Sequence, residues 1–188
     1  MRLDVKTAPT SEPVTLSEAK AILRVTHNRD DSRISSLIEL ATDRVELETG
    51  RQLMPATYLG YMDSFPLENY IEIPISPVSS VTSVTYADPE GSAVIFPSAG
   101  YTLIDVYDPP RIVLDYGSEW PSTRGYDNDV LIEFVAGYAT AAAIPAGLKH
   151  LVHYFVQEAY DSESGFGSLA PPPDSIKALI WQYKLAQV

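Results

Sequence analysis

The sequence predicts an α+β fold: a helical bundle with an inserted small, mostly antiparallel β-sheet, plus a C-terminal linker and helix. Three observations carry this. Apolar residues recur at helical spacing before Gly50 and again after Pro145. Between them, from about 55 to 136, the period falls to two, the signature of strands with one face buried. A stretch rich in glycine, serine and proline then sets the last apolar segment apart from the body.

Residues 1–13 are polar, with Pro9 and Pro13, and are expected to form an extended N-terminal arm. The body is expected over 14–161. It opens on "TLSE" (Thr15 to Glu18), a capping box in which the threonine and glutamate side chains satisfy each other's backbone N–H groups. A helix over 15–25 would bury Leu16, Ala19, Ile22 and Leu23. "THNRDDS" (26–32) is turn chemistry and offers Asp30 or Asp31 as the next N-cap. The second helix, 33–49, lines up Ile34, Leu37, Ile38, Ala41 and Val45 on one stripe, and Gly50 suits the left-handed position that ends it. Leu40 and Leu47 lie off that stripe; either they widen the core face or they are left for another chain.

The insertion starts with a strand near Thr57 to Met62. In "YIEIPI" the side chains of Ile71, Ile73 and Ile75 share one face. Pro74 cannot donate to a ladder and marks an edge or a strand end. "VTSVTY" runs into "DPEG", a β-turn whose hairpin partner is "AVIF" (Ala93 to Phe96). Further extended segments are expected at 101–106, 111–114 and 130–136. Helical spacing returns over 145–160, where Leu148, Leu151, Val152, Phe155 and Ala159 form a stripe beside Val156. "SESGFGSLAPPPD" reads as a linker over 162–174. A last helix follows within 175–188, from about Ser175 to Ala186, with Asp174 as its N-cap.

At 188 residues the chain fits one domain, or one domain with appendages, and a chain of that size buries roughly 70% of its unfolded surface without needing a staple. It contains no cysteine, so thiolate chemistry, disulfides and thiolate metal sites are excluded. No run of 18 apolar residues is present and no secretory leader is visible at the start. The net charge is −12, from 13 basic and 25 acidic residues. Tight binding to nucleic acid relies on basic patches that neutralise phosphate, so a DNA clamp is not expected.

Candidates for chemistry fall away one at a time. His150 and His153 are neighbours on the third helix and are expected on its polar face, but "HLVH" lacks the glutamate and the third ligand of a zinc site. His27 lies in a turn. The carboxylates of "RDDS" and "YDND" suit capping and a loop, and no pair is held at a glycosidase spacing. Calcium at Asp127 and Asp129 would need a D-x-D-x-D-G loop that is absent. "GFG" (165–167) is too short for a phosphate loop. No catalytic, cofactor-binding or metal residue is expected.

Surplus apolar surface is the stronger signal. On the last helix Ile176, Leu179, Ile180 and Tyr183 make one stripe, while Ala178, Trp181 and Leu185 make a second on the other side. A helix apolar on two faces tends to be buried on two faces. Either the helix is enclosed by its own domain or the second stripe meets another chain, with Trp181 as the anchor.

The order of the segments "TLSEAKAILRV", "DDSRISSLIELATDRVELETGRQL", "IEIPISPVSSVTSVTYADPEG", "WPSTR", "VLIEFVAGY" and "IPAGLKHLVHYFVQEAY" resembles the head–tail connector (adaptor, or head-completion) proteins of long-tailed bacteriophages and of phage-like gene transfer agents. The resemblance spans about residues 13–160. It implies a structural virion protein with no catalytic residues, placed at the head–tail junction after assembly in the bacterial host cytoplasm. It further implies a homo-oligomeric, dodecameric ring under the portal protein that extends the DNA channel and offers a docking surface for the stopper or tail-terminator protein. DNA would pass through the lumen without specific binding, and no membrane is involved. On this reading Ala178, Trp181 and Leu185 are portal-docking candidates, and Leu40, Leu47 and Pro74 are ring-interface candidates. The alternative is a monomeric capsid or tail accessory module, which would share the fold without the ring.

Overall fold

The capping box at the start of the first helix is fully formed. The Thr15 hydroxyl accepts from the Glu18 N–H at 3.2 Å, and the Glu18 carboxylate accepts from the Thr15 N–H at 2.7 Å. The structure is a computed structural model that describes residues 1–162 and 171–186. Its chain order is β1 (Arg2–Thr7), α1 (Leu16–Leu23), α2 (Asp31–Thr49), β2 (Ala56–Met62), β3 (Tyr70–Glu72), β4 (Val78–Ala87), β5 (Ala93–Phe96), β6 (Tyr101–Ile104), β7 (Arg111–Leu114), β8 (Val130–Ala136), α3 (Ala146–Asp161) and α4 (Asp174–Tyr183). These group into two compact units. The helical unit comprises Thr10–Met54 and Tyr138–Lys184, and the sheet unit comprises Met1–Pro9, Pro55–Gly137 and Leu185–Val188.

In the helical unit, α2 buries the five stripe residues together with Thr42 and Thr49, whose hydroxyls bond back to the carbonyls of Ile38 and Val45. Gly50 closes the helix at φ 70°, where a Cβ would be strained. The helix starts at Asp31 rather than Arg33. Asp30 occupies the N-cap position but does not cap: its carboxylate accepts from the Tyr160 hydroxyl at 2.6 Å, and Asp31 accepts from Lys20 at 2.6 Å. Both aspartates thus fasten α2 to its neighbours instead of to its own backbone. α3 buries Leu148, Leu151, Val152, Phe155, Val156 and Ala159 against the same core as α2.

α4 adds Ile176 and Ile180 to that core, with Leu179 and Tyr183 packed at its margin. It is shorter than the sequence suggests. Asp174 is its first residue, pairing with Lys177 at 3.0 Å rather than capping, and the helix stops at Tyr183. Most of the expected 162–174 linker lies outside the described residues.

The sheet unit holds two antiparallel sheets, where the sequence suggested one. Five strands run in the order β1-β2-β8-β4-β5, and three in the order β3-β7-β6. The central strand is β8, whose Val130, Ile132, Phe134 and Ala136 are fully buried while the residues between them are half-exposed. Phe134 lies opposite Tyr58 of β2, and their rings stack with centroids 5.7 Å apart. The expected hairpin forms between β4 and β5. Gly91 turns at φ 86°, its N–H donates to the Asp88 carbonyl at 2.8 Å, and the Asp88 carboxylate accepts from the Ser92 N–H at 2.7 Å.

The polar N-terminal arm differs from its expected role. Its first half is an edge strand, β1, antiparallel to β2 with a bulge between Val5 and Thr7. Five of its six side chains are exposed, so alternation carries little signal there; pairing with β2 makes it a strand. Pro74 lies two residues beyond β3 and is exposed, which keeps its missing N–H out of any ladder.

α4 meets α3 at a glycine. A Cβ on Gly147 would come within 2.6 to 3.0 Å of the Tyr183 ring. Alanine ordinarily favours a helix by about 0.5–1 kcal/mol over glycine, but overpacking costs about 1–3 kcal/mol, so the steric term wins. Gly147→Ala is expected to push the Tyr183 ring out. Hydrogen exchange should then quicken in α4 by roughly tenfold, matching a loss near 1.4 kcal/mol, while the amides of β8 keep their rates.

Candidate functional site

Among the described residues, the calcium candidate Asp129 has a structural duty. Asp129 is buried; it accepts from Arg124 Nη2 at 2.7 Å and Nε at 3.1 Å and from the Tyr126 N–H at 2.8 Å. The backbone N–H of Tyr126, and then Arg124, hold its carboxyl below the usual carboxylate range. It locks the turn before β8 and is not an open calcium ligand. Among the described residues no three His, Asp or Glu side chains converge as metal ligands. An open groove of about 580 Å³ is lined by Met1, Arg2, Tyr61, Met62, Asp63 and Asn128 among others. Two of its charged groups have partners: Arg2 lies over the Tyr61 ring and near Asp4, and Asp63 accepts from the Asn128 N–H, while Asp127 also lines the groove and is exposed.

The histidines separate. His150 is exposed, as expected, but His153 is half-buried, and its Nε2 is enclosed without a hydrogen-bond partner. Burial pushes its pKa down, opposed by the Glu18 charge. The polar-face assignment fails for His153 because contact with α1 covers a side of α3 that a single-helix wheel leaves open.

One carboxylate is unusual. Glu46 of α2 accepts from the Leu53 N–H at 2.8 Å and from Gln52 Nε2 at 2.9 Å. Burial raises its pKa to about 7, with Asp43 and Glu12 adding repulsion that the two hydrogen bonds only partly offset. Glu12 is raised as well, by burial and by Glu39 and Asp43. A carboxyl raised in the folded state stabilises fully below its unfolded value, and that stability is lost as pH climbs from about 4.5 through about 7. The expected Glu46 share is on the order of 3 kcal/mol. Glu46→Gln retains an acceptor for both donors. Urea midpoints at pH 5 and pH 8 should therefore lie closer together in the variant than in the unaltered chain; an unchanged gap would clear Glu46 of this role.

What remains is surface. Leu40 and Leu47 are exposed on α2, Leu47 at 86%. On α4 Ala178 is exposed and Trp181 is 77% exposed. Leu185 corrects the expectation: it lies beyond the end of α4 and is 6% exposed, so it is part of its own chain's interior and not of the outward stripe. Pro74 is exposed. Two residues without any periodic signal stand out furthest, Leu67 at 104% and Tyr116 at 108%. Both lie in loops, where the order of residues does not say which side chain is tucked in.

Charge is unevenly divided. The sheet unit has four basic residues against 13 acidic, a net −9, while the helical unit has nine against 12, a net −3; together these make the −12 of the chain. All four cations of the sheet unit are paired: Arg2 with Asp4, Lys6 with Glu133, Arg111 with Glu72 and Arg124 with Asp129.

Among the described residues the candidate sites of this two-unit α+β fold are exposed apolar and acidic surface. Residues 13–93 match the family described as phage gp6-like head-tail connector protein. No curated protein matches the chain. Among solved structures, a chain in the neck of a native gene transfer agent particle, computed with C12 symmetry, is similar at 25% identity and TM-score 0.77. Chains in the neck of an empty particle, computed with C6 symmetry, and in a native virion are similar at 22% and 24% identity, each with TM-score 0.81. Each match covers 100% of this chain and 97% of the other. The fold is that of the gene transfer agent neck chain.

Proposed function

We propose that this chain is a structural head–tail connector, an adaptor that forms a ring under the portal, extends the DNA channel and gives the stopper or tail its docking surface. The observation that carries the reading is a fold matched over the whole chain to a neck chain in a C12 reconstruction, joined to the connector family match over 13–93. The particle would be assembled in the bacterial host cytoplasm and the chain would stay at the head–tail junction. Catalysis has no part in this role. The surplus of carboxylates suits a conduit, since a lumen that repels phosphate lets DNA slide.

Within that role Trp181 and Ala178 are the proposed portal contact. A large aromatic left out on a short helix is a natural anchor. Leu40, Leu47 and Pro74 are proposed ring contacts. The second reading, a monomeric accessory module, shares the fold and predicts no annulus.

Deleting the C-terminal segment would be a poor test, because it uncovers the core seats of Ile176 and Ile180. Trp181→Ala leaves those seats filled. Its melting temperature is expected within about 2 °C of the unaltered chain, as for surface substitutions generally, while attachment to portal-bearing heads, scored by negative-stain microscopy, falls sharply. Undiminished attachment would remove Trp181 from the docking surface.

A further inference from the structure

Unpaired charge of opposite sign sits on the two units, each time beside exposed apolar surface. At one end of the β3-β7-β6 sheet the loops before β3 and after β7 are tied together. The Leu114 N–H donates to the Asn69 carbonyl at 2.8 Å, Trp120 Nε1 donates to the Glu68 carbonyl at 3.0 Å, and the Phe65 ring stacks on Trp120 with centroids 4.9 Å apart. These ties fix the backbone from which Leu67 and Tyr116 project into solvent. Glu68 and Glu119 are exposed beside them. With every cation of the sheet unit bonded elsewhere, no basic residue of that unit neutralises this rim.

The helical unit offers the counterpart at the α1–α2 turn. Arg24 and Arg29 are exposed, and neither has a hydrogen-bond or ion-pair partner for its guanidinium among the described residues. Nearby Lys20 is already held by Asn28 and Asp31. Arg24 ends α1 at φ 56°, a left-handed position that glycine fills without strain. A side chain kept there at a conformational cost, pointing at nothing in its own chain, invites an external partner. Ile22, exposed one turn before it, adds an apolar element.

We infer that these are the two halves of one contact between copies: the Arg24/Arg29 turn of one subunit seats on the Leu67/Tyr116 tip of the next, against Glu68 and Glu119. The inference rests on the ring reading above. A closed ring uses heterologous contacts, in which two different patches of the same chain meet, and opposite charge on those patches sets register and suppresses wrong pairings. DNA is the weaker occupant for the turn, because Asp30 and Asp31 follow Arg29 directly and the whole unit is net negative.

The test is complementation of particle-producing cells, with the added neck annulus counted on portal-bearing heads. R24E/R29E and E68K/E119K should each lower annulus occupancy on the order of tenfold, the effect expected of like charges brought together. The chain carrying all four changes should recover most of it. Arg24→Gly separates contact from folding: the melting temperature should hold or rise, because glycine relieves the left-handed backbone, while annulus occupancy falls. Folded variants that leave occupancy untouched, or a fourfold variant that fails to recover it, overturn the pairing. Loss with the arginine changes alone assigns the turn to another virion protein and overturns it too, as does binding of a DNA duplex by the purified chain that R24E/R29E abolishes. If heads complemented with the unaltered chain carry no annulus, the ring reading itself fails, a result distinct from all of these.

Discussion

The double pairing of β8 is the constraint from which the sheet unit follows. It is antiparallel to β2 on one side and to β4 on the other, so its buried face is shared by three strands at once. Phe134, seated on Tyr58, fills the middle of that face; burying a side chain of this size stabilises by roughly 1.5–3 kcal/mol. The remaining five-stranded-sheet members depend on this centre: β1 reaches it only through β2, and β5 only through β4. Asp129, locked by Arg124 one residue before the strand, fixes where β8 begins. The pairing is also distant in sequence, so loop closure precedes any reward from contact, which slows folding.

The parts legible in the sequence are those that local chemistry decides. Thr15 and Glu18 satisfy each other within one turn, Gly50 and Gly91 take backbone angles that other residues resist, and the stripes on α2 and α3 bury the side chains that their spacing selects. The parts that were not legible depend on distant partners. β1 has almost no buried side chain and becomes a strand because β2 lies beside it. Asp30 looks like a cap, yet Tyr160, 130 residues away in sequence, takes its carboxylate. The separation into two sheets, the enclosure of His153 and Leu185, and the full exposure of Leu67 and Tyr116 all depend on which surfaces meet. The tendency toward surplus apolar surface was readable; its address was only partly so.

The distribution of polar groups is consistent with the connector role proposed above. Three carboxylates out of full solvent hold elements in place: Asp129 before β8, Glu46 at the end of α2 and Glu72 on Arg111. Exposed carboxylates stand on both units, and in the sheet unit every lysine and arginine is already paired. Such a surface keeps copies apart unless a complementary patch arrives, which favours an ordered meeting at a designated place over indiscriminate clumping.

The attachment of α4 has a mechanical corollary. Ten residues are too few to stay helical alone in water, and this helix is secured by Ile176, Ile180 and a tyrosine ring resting on Gly147. A force applied through Trp181 would therefore unseat and melt the helix in one event. The segment would yield like a tether that unspools once those seats are lost.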